Sequence, residues 1–111
     1  MKIYISGKIT GLPIEQAQRQ FAAVAKQLYD AGHAPVNPMK LKHDHDHTWE
    51  SYMKVDIAEL LTCDAIYMLK GWHESKGACI EHTLATHLGI DIFFEYCIAA
   101  NKVPHSLPVM L

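Results

Sequence analysis

The sequence has no apolar run of transmembrane length, no block of like charge and no basic stripe. Ten Lys and Arg against twelve Asp and Glu leave a formal charge of −2. That balance argues against a nucleic-acid polymer or a membrane surface as the main partner. Neither GxxxxGK[ST] nor GxGxxG is present, so no P-loop or dinucleotide fingerprint is available. Three cysteines, Cys63, Cys79 and Cys97, are widely spaced and form no CxxC. They suit the reduced thiols of a cytoplasmic protein rather than a disulfide framework or a zinc knuckle. No repeat, linker or low-complexity segment interrupts the chain. The opening Met-Lys-Ile-Tyr reads as the start of a strand rather than a signal peptide.

What is present suffices for a core. Half of the 111 residues are hydrophobic, as expected for one domain over 1–111 with an irregular tail over 95–111. Lys2 to Ile5 reads as a strand. A helix opening near Pro13 runs to about Ala31, burying Ala17, Phe21, Val24, Ala25 and Leu28, and Gly32 stops it. Ala34-Pro35-Val36 is a short strand whose proline suits an edge. A helix over Thr48–Cys63, a strand over Asp64–Leu69, a helix from Ser75 to Leu88 and a strand over Ile90–Phe94 follow. Alternating strands and helices imply an α/β, flavodoxin-like three-layer sandwich. Its parallel sheet of four to five strands should run in the order 2-1-3-4. A ligand crevice then opens beyond the carboxyl ends of the first and third strands, where the order reverses.

Two acids break the pattern of their helices. Gly77, Ile80, Glu81, Leu84, Ala85 and Leu88 recur at i, i+3, i+4 spacing, and Glu81 is the misfit. In the preceding helix, Trp49, Tyr52, Met53, Ile57, Leu60 and Leu61 form a stripe whose gap is filled by Asp56. A carboxylate on a buried face is paired, protonated or working; a long one can also snorkel to water from the stripe's edge. Paired carboxylates at one site are what glycoside cleavage requires. Glu81, near a helix N-terminus, is expected to be ionised. Asp56, in the more apolar setting, is expected to carry the raised pKa.

The loops leave alternatives open. Ser6–Pro13 holds two glycines, Lys8 and the hydroxyls of Ser6 and Thr10. It can hold a phosphate or sugar, or be only a glycine-rich turn. Trp72, after the third strand, can stack on a base or pack on its own loop. His43-Asp44-His45-Asp46-His47 has metal-like alternation but lacks a fourth ligand, so a solvated loop competes with a metal site. His73 and His82 are possible proton carriers or surface residues.

Tyr4-Ile5-Ser6-Gly7-Lys8-Ile9-Thr10-Gly11, Tyr52-Met53-Lys54-Val55-Asp56, Cys63-Asp64-Ala65-Ile66-Tyr67 and Gly71-Trp72 through Ser75-Lys76-Gly77-Ala78, Glu81-His82 and Ala85 resemble the DUF4406 family. That family looks related to nucleoside 2-deoxyribosyltransferases and 2'-deoxynucleoside 5'-monophosphate N-glycosidases. The resemblance implies a Glu81 nucleophile, with Asp56 binding the sugar and assisting proton transfer. It implies that Tyr4, Ser6, Gly7 and Lys8 hold the sugar and its 5' substituent, with Ser75 near the 5' group and Gly77 in the same motif. No cofactor or metal is implied. The partners implied are a nucleoside or nucleotide and at least a second copy of the chain. In such a homodimer the Asp56 helix would lie in the interface and a neighbour's tail near the pocket, with Asn101, His105 and Ser106 as candidates to complete the site. A non-catalytic nucleotide-binding module and an NAD-cleaving enzyme are the alternatives.

Overall fold

Strand β1 (Lys2–Ser6) is at the middle of the sheet and buries every residue from Ile3 to Ser6. Side chains alternate along a strand, so Ile3 and Ile5 face one side and Tyr4 and Ser6 the other. The structure, a computed structural model, describes residues 1–95. Helix α1 (Ile14–Asp30), strand β2 (Ala34–Val36), helix α2 (Trp49–Leu60), strand β3 (Ala65–Met68), helix α3 (Lys76–Leu88) and strand β4 (Asp91–Phe94) follow in chain order. The four strands are parallel in the order β2-β1-β3-β4. Pro35 is on the edge strand, where a missing N–H costs least.

Two apolar layers sandwich the sheet. On one side, Phe21, Val24 and Leu28 of α1 pack with Ile3, Ile5, Ala65 and Tyr67. On the other, Leu60 of α2 and Ala78 and Ala85 of α3 pack with Tyr4, Ile66, Met68, Ile92 and Phe94. The three-layer arrangement and the strand order agree with the expected fold class.

The helix starts follow local chemistry. Thr48 Oγ1 accepts the Ser51 N–H at 3.2 Å, and Ser75 Oγ accepts the Ala78 N–H at 3.2 Å. Such caps are worth about 1 kcal/mol each. Gly89 ends α3 at φ 70°, in the left-handed region that suits glycine.

Two expected helix faces turn out narrower than the spacing predicts. In α3 the buried residues are Ala78, Glu81 and Ala85, while Leu88 is exposed. In α2 the buried residues are Met53 and Leu60, while Tyr52 and Leu61 are exposed. The tail from Tyr96 onward, with Cys97, Asn101, His105 and Ser106, lies outside the described residues.

Candidate active site

Glu81 enters the site because α3 begins beyond the carboxyl end of β3 and its sixth residue faces β1. Its side chain is 5% exposed. Tyr4 Oη donates to Glu81 Oε2 at 2.5 Å, and Ser6 Oγ donates to Oε1 at 2.7 Å. The two donors come from one face of β1, two residues apart, so strand periodicity aims both at one carboxyl. Burial pushes the Glu81 pKa up to about 7, against the pull of the two hydrogen bonds, and Asp56 nearby raises it further. Tyr4 is pushed above the usual phenol range, chiefly by burial and then by Glu81.

Asp56 carries the raised pKa expected of it, and Glu81, expected to be ionised, is displaced upward as well. Glu81, not Asp56, shows the stronger displacement. Its position lies beyond the first turn of α3, where the helix dipole acts most, and it is the more deeply buried of the two acids.

Asp56 faces the same cavity from α2. Its Oδ1 stands 3.0 Å from His43 Nε2, and both side chains are 13% exposed. Burial raises the Asp56 pKa, and the hydrogen bond and charge of His43 oppose that rise. An imidazole N–H donating to the carboxylate fits this geometry.

The cavity between these acids measures about 410 Å³. Gly7, Ile9 and Thr10 from the loop after β1 border it, as do Ser75 and Gly77 at the start of α3. Trp49, Tyr52 and Met53 of α2 supply its aromatic and thioether wall, opposite Ile14 and Phe21 of α1. Lys76 Nζ sits 4.3 Å from the centre of the Trp49 ring, a cation–π contact that holds the indole at the rim. Gly77 is there for space: a Cβ would stand 2.9 Å from Met53 Sδ. Gly7 is tighter, since a Cβ would meet three Leu69 side-chain atoms at 2.8–3.0 Å.

The structure thus brings Tyr4, Ser6, Gly7, Asp56, Ser75, Gly77 and Glu81 to one place. It does not bring Trp72 or Lys8 to the cavity wall. Trp72 stacks on His82 with ring centres 4.5 Å apart and packs against Phe94, on the β4 side of α3. The indole is engaged by this packing and is not among the residues lining the cavity, so the geometry gives no support to its expected role as a base platform. Lys8 Nζ stands 3.8 Å from Glu74 Oε1 and is drawn along the loop surface instead of inward.

Sequence reasoning missed His43, Trp49 and Tyr52 as site residues. The signal was present for two of them, because positions 49, 52, 53 and 56 follow helical spacing onto the face that carries Asp56. His43 had none, being fixed by the loop's path. The three loop histidines gather around Tyr52, with ring centres 4.6–5.8 Å from its ring. Among the described residues, no group of three or more His, Cys, Asp or Glu side chains could hold a metal ion.

Fold and site together define an α/β protein with a carboxylate pair at the point where a parallel sheet reverses its strand order. The chain belongs to the DUF4406 family, described as a domain of unknown function, whose family model matches residues 1–94. Among solved structures it is similar to a 2-deoxyribosyltransferase from the psychrotolerant bacterium Bacillus psychrosaccharolyticus. The TM-score is 0.67 at 18% identity, covering 85% of this chain and 71% of that one, a likeness of fold. A search of curated proteins finds no match.

Proposed function

We propose that the chain cleaves or transfers at the N-glycosidic bond of a nucleoside or nucleotide, with Glu81 as the nucleophile. The observation that carries this reading is the buried Glu81 carboxyl, held by two hydroxyl donors and sharing a cavity with Asp56. Ionised Glu81 attacks the anomeric carbon. The bond to the base breaks, and its electron pair leaves on the base. Asp56, in its protonated form, delivers the proton the base takes up, and takes one back from the water or second base that displaces the ester. The product at Glu81 is a glycosyl ester, which water hydrolyses or a second base displaces.

Several features support the substrate class. A cavity of about 410 Å³ lies within the usual range for one small ligand. Its aromatic wall of Trp49 and Tyr52 suits a base, and Gly7, Thr10 and Ser75 suit a sugar and its 5' substituent. The fold it shares with a protein named as a 2-deoxyribosyltransferase adds support. Within this reading Tyr4 steadies the nucleophile, and the protein works as a homodimer or larger homo-oligomer without a cofactor.

A second reading, a nucleotide-binding module without turnover, draws on one observation. Burial that pushes the Glu81 pKa up to about 7 leaves the carboxyl partly protonated at neutral pH, a form that can bind but not attack. The test is incubation with deoxynucleosides, ribonucleosides, their 5'-monophosphates and NAD, with free base measured by chromatography. Release of base from one class, lost in Glu81→Gln, is the expected result. Tight binding without release in every member would move the protein to the second reading.

A further inference from the structure

The described residues bury two polar or charged side chains outside the tyrosines, Ser6 and Glu81, and these two are bonded to each other. Ser6 is 1% exposed and is not among the residues lining the cavity, which include its neighbours Ile5 and Gly7. Its hydroxyl is spent on Glu81 Oε1 at 2.7 Å. We infer that Ser6 is a positioning residue for Glu81: it fixes the plane of the carboxyl and keeps it available as a carboxylate, and it does not bind substrate.

The geometry supports this role in three ways. First, the two carboxyl oxygens have separate donors, Tyr4 on Oε2 and Ser6 on Oε1, so the group cannot rotate without losing one. Second, both donors sit on an inner strand, Tyr4 paired with β2 and β3 and Ser6 with β3, which leaves them little freedom to follow a moving carboxyl. Third, each hydroxyl donates into an otherwise apolar layer, where a hydrogen bond to a charged acceptor counts for more than in water. Removing either donor leaves one carboxyl oxygen buried and unsatisfied.

The titratable groups that face Glu81 are Tyr4 on β1 and Asp56 on α2, with His43 of the preceding loop behind Asp56. On that side β3 presents apolar Ile66 and Met68. None of these is a cation next to Glu81. Ionisation therefore depends on neutral donors, and Ser6 is the one that has no other evident task.

The inference rests on Glu81 being the nucleophile for its catalytic consequence, and the experiment separates the two. In the ligand-free protein with ¹³C-labelled glutamate side chains, the Glu81 carboxyl is titrated by NMR in the native chain, Ser6→Ala and Ser6→Thr. Losing one hydrogen bond to a charged group should raise its midpoint by about one pH unit in Ser6→Ala, with Ser6→Thr restoring it. The acid limb of kcat/KM should move with it. Ser6→Ala should therefore lose about tenfold near pH 6 and recover most of that at pH 8.5, with KM little changed. An unmoved Glu81 titration in Ser6→Ala would overturn the inference. So would a uniform loss at all pH values, or a loss confined to KM. If Ser6→Ala does not fold, Ser6→Cys, a weaker donor of similar size, must give an intermediate upward shift. Failure of the native chain to release base from any substrate would remove the proposed function, and the carboxyl titration would still decide Ser6.

Discussion

At the scale of single residues, Glu81 sets conflicting demands on stability and chemistry. Its pKa rises from an ordinary 4.5 to about 7, so the folded state holds the proton more tightly than the unfolded one. The stabilisation that this proton gives is fully present below about pH 4.5 and is lost as pH rises through 7. Glu81→Gln removes the ionisation. It should therefore stabilise the chain by about 2 kcal/mol at pH 8 and by little at pH 4.5, read by denaturant unfolding at both values. An equal effect at the two pH values would refute the buried-carboxyl account. The same residue should give activity that climbs as pH rises through about 7, because attack needs the ionised form. Activity of Glu81→Gln should fall by several orders of magnitude. Both acids were legible from sequence as charges set in apolar helical stripes. Their ionisation was not, because it depends on Tyr4 and Ser6, 77 and 75 residues away from Glu81 along the chain.

At the scale of elements, α2 and α3 cover one sheet face and leave the cavity between their starts. Asp56→Leu would extend the apolar face of α2. It should raise the melting temperature while abolishing nucleotide binding by calorimetry, the behaviour of a residue kept for function. Unchanged binding would make Asp56 a stripe edge. The two close-approach glycines should differ. Gly77→Ala pushes only on the flexible end of Met53 and should cost about 1 kcal/mol while narrowing the cavity. Gly7→Ala pushes on Leu69 close to its backbone and should cost about 3 kcal/mol. The reverse order in thermal melts would show that the loop after β1 yields more readily than α3. Periodicity and caps marked these elements well, since Thr48, Ser75 and Gly89 sit where the sequence signals them. The loops were less legible. Trp72 and Lys8 lie in turns, where no repeat tells which way a side chain points, and they pair with His82 and Glu74 and do not line the cavity.

At the scale of the molecule, Leu61, Leu88 and Ile14 remain exposed on the described residues. Self-association would cover such residues, and light scattering at micromolar concentration should return at least a dimer mass. A monomer across the concentration range would require the pocket to be completed within one chain. The strand order has a further consequence. β1 hydrogen-bonds to β2 on one side and to β3 on the other, and the exposed stretch near Asp44 separates the first pair from everything that follows. A cut in that stretch would leave one piece with both hydroxyl donors and the other with both acids. Neither piece would hold a site alone. Mixed together, they would recover it only as β3 docks beside β1, so return of the proposed base release would report fragment complementation directly.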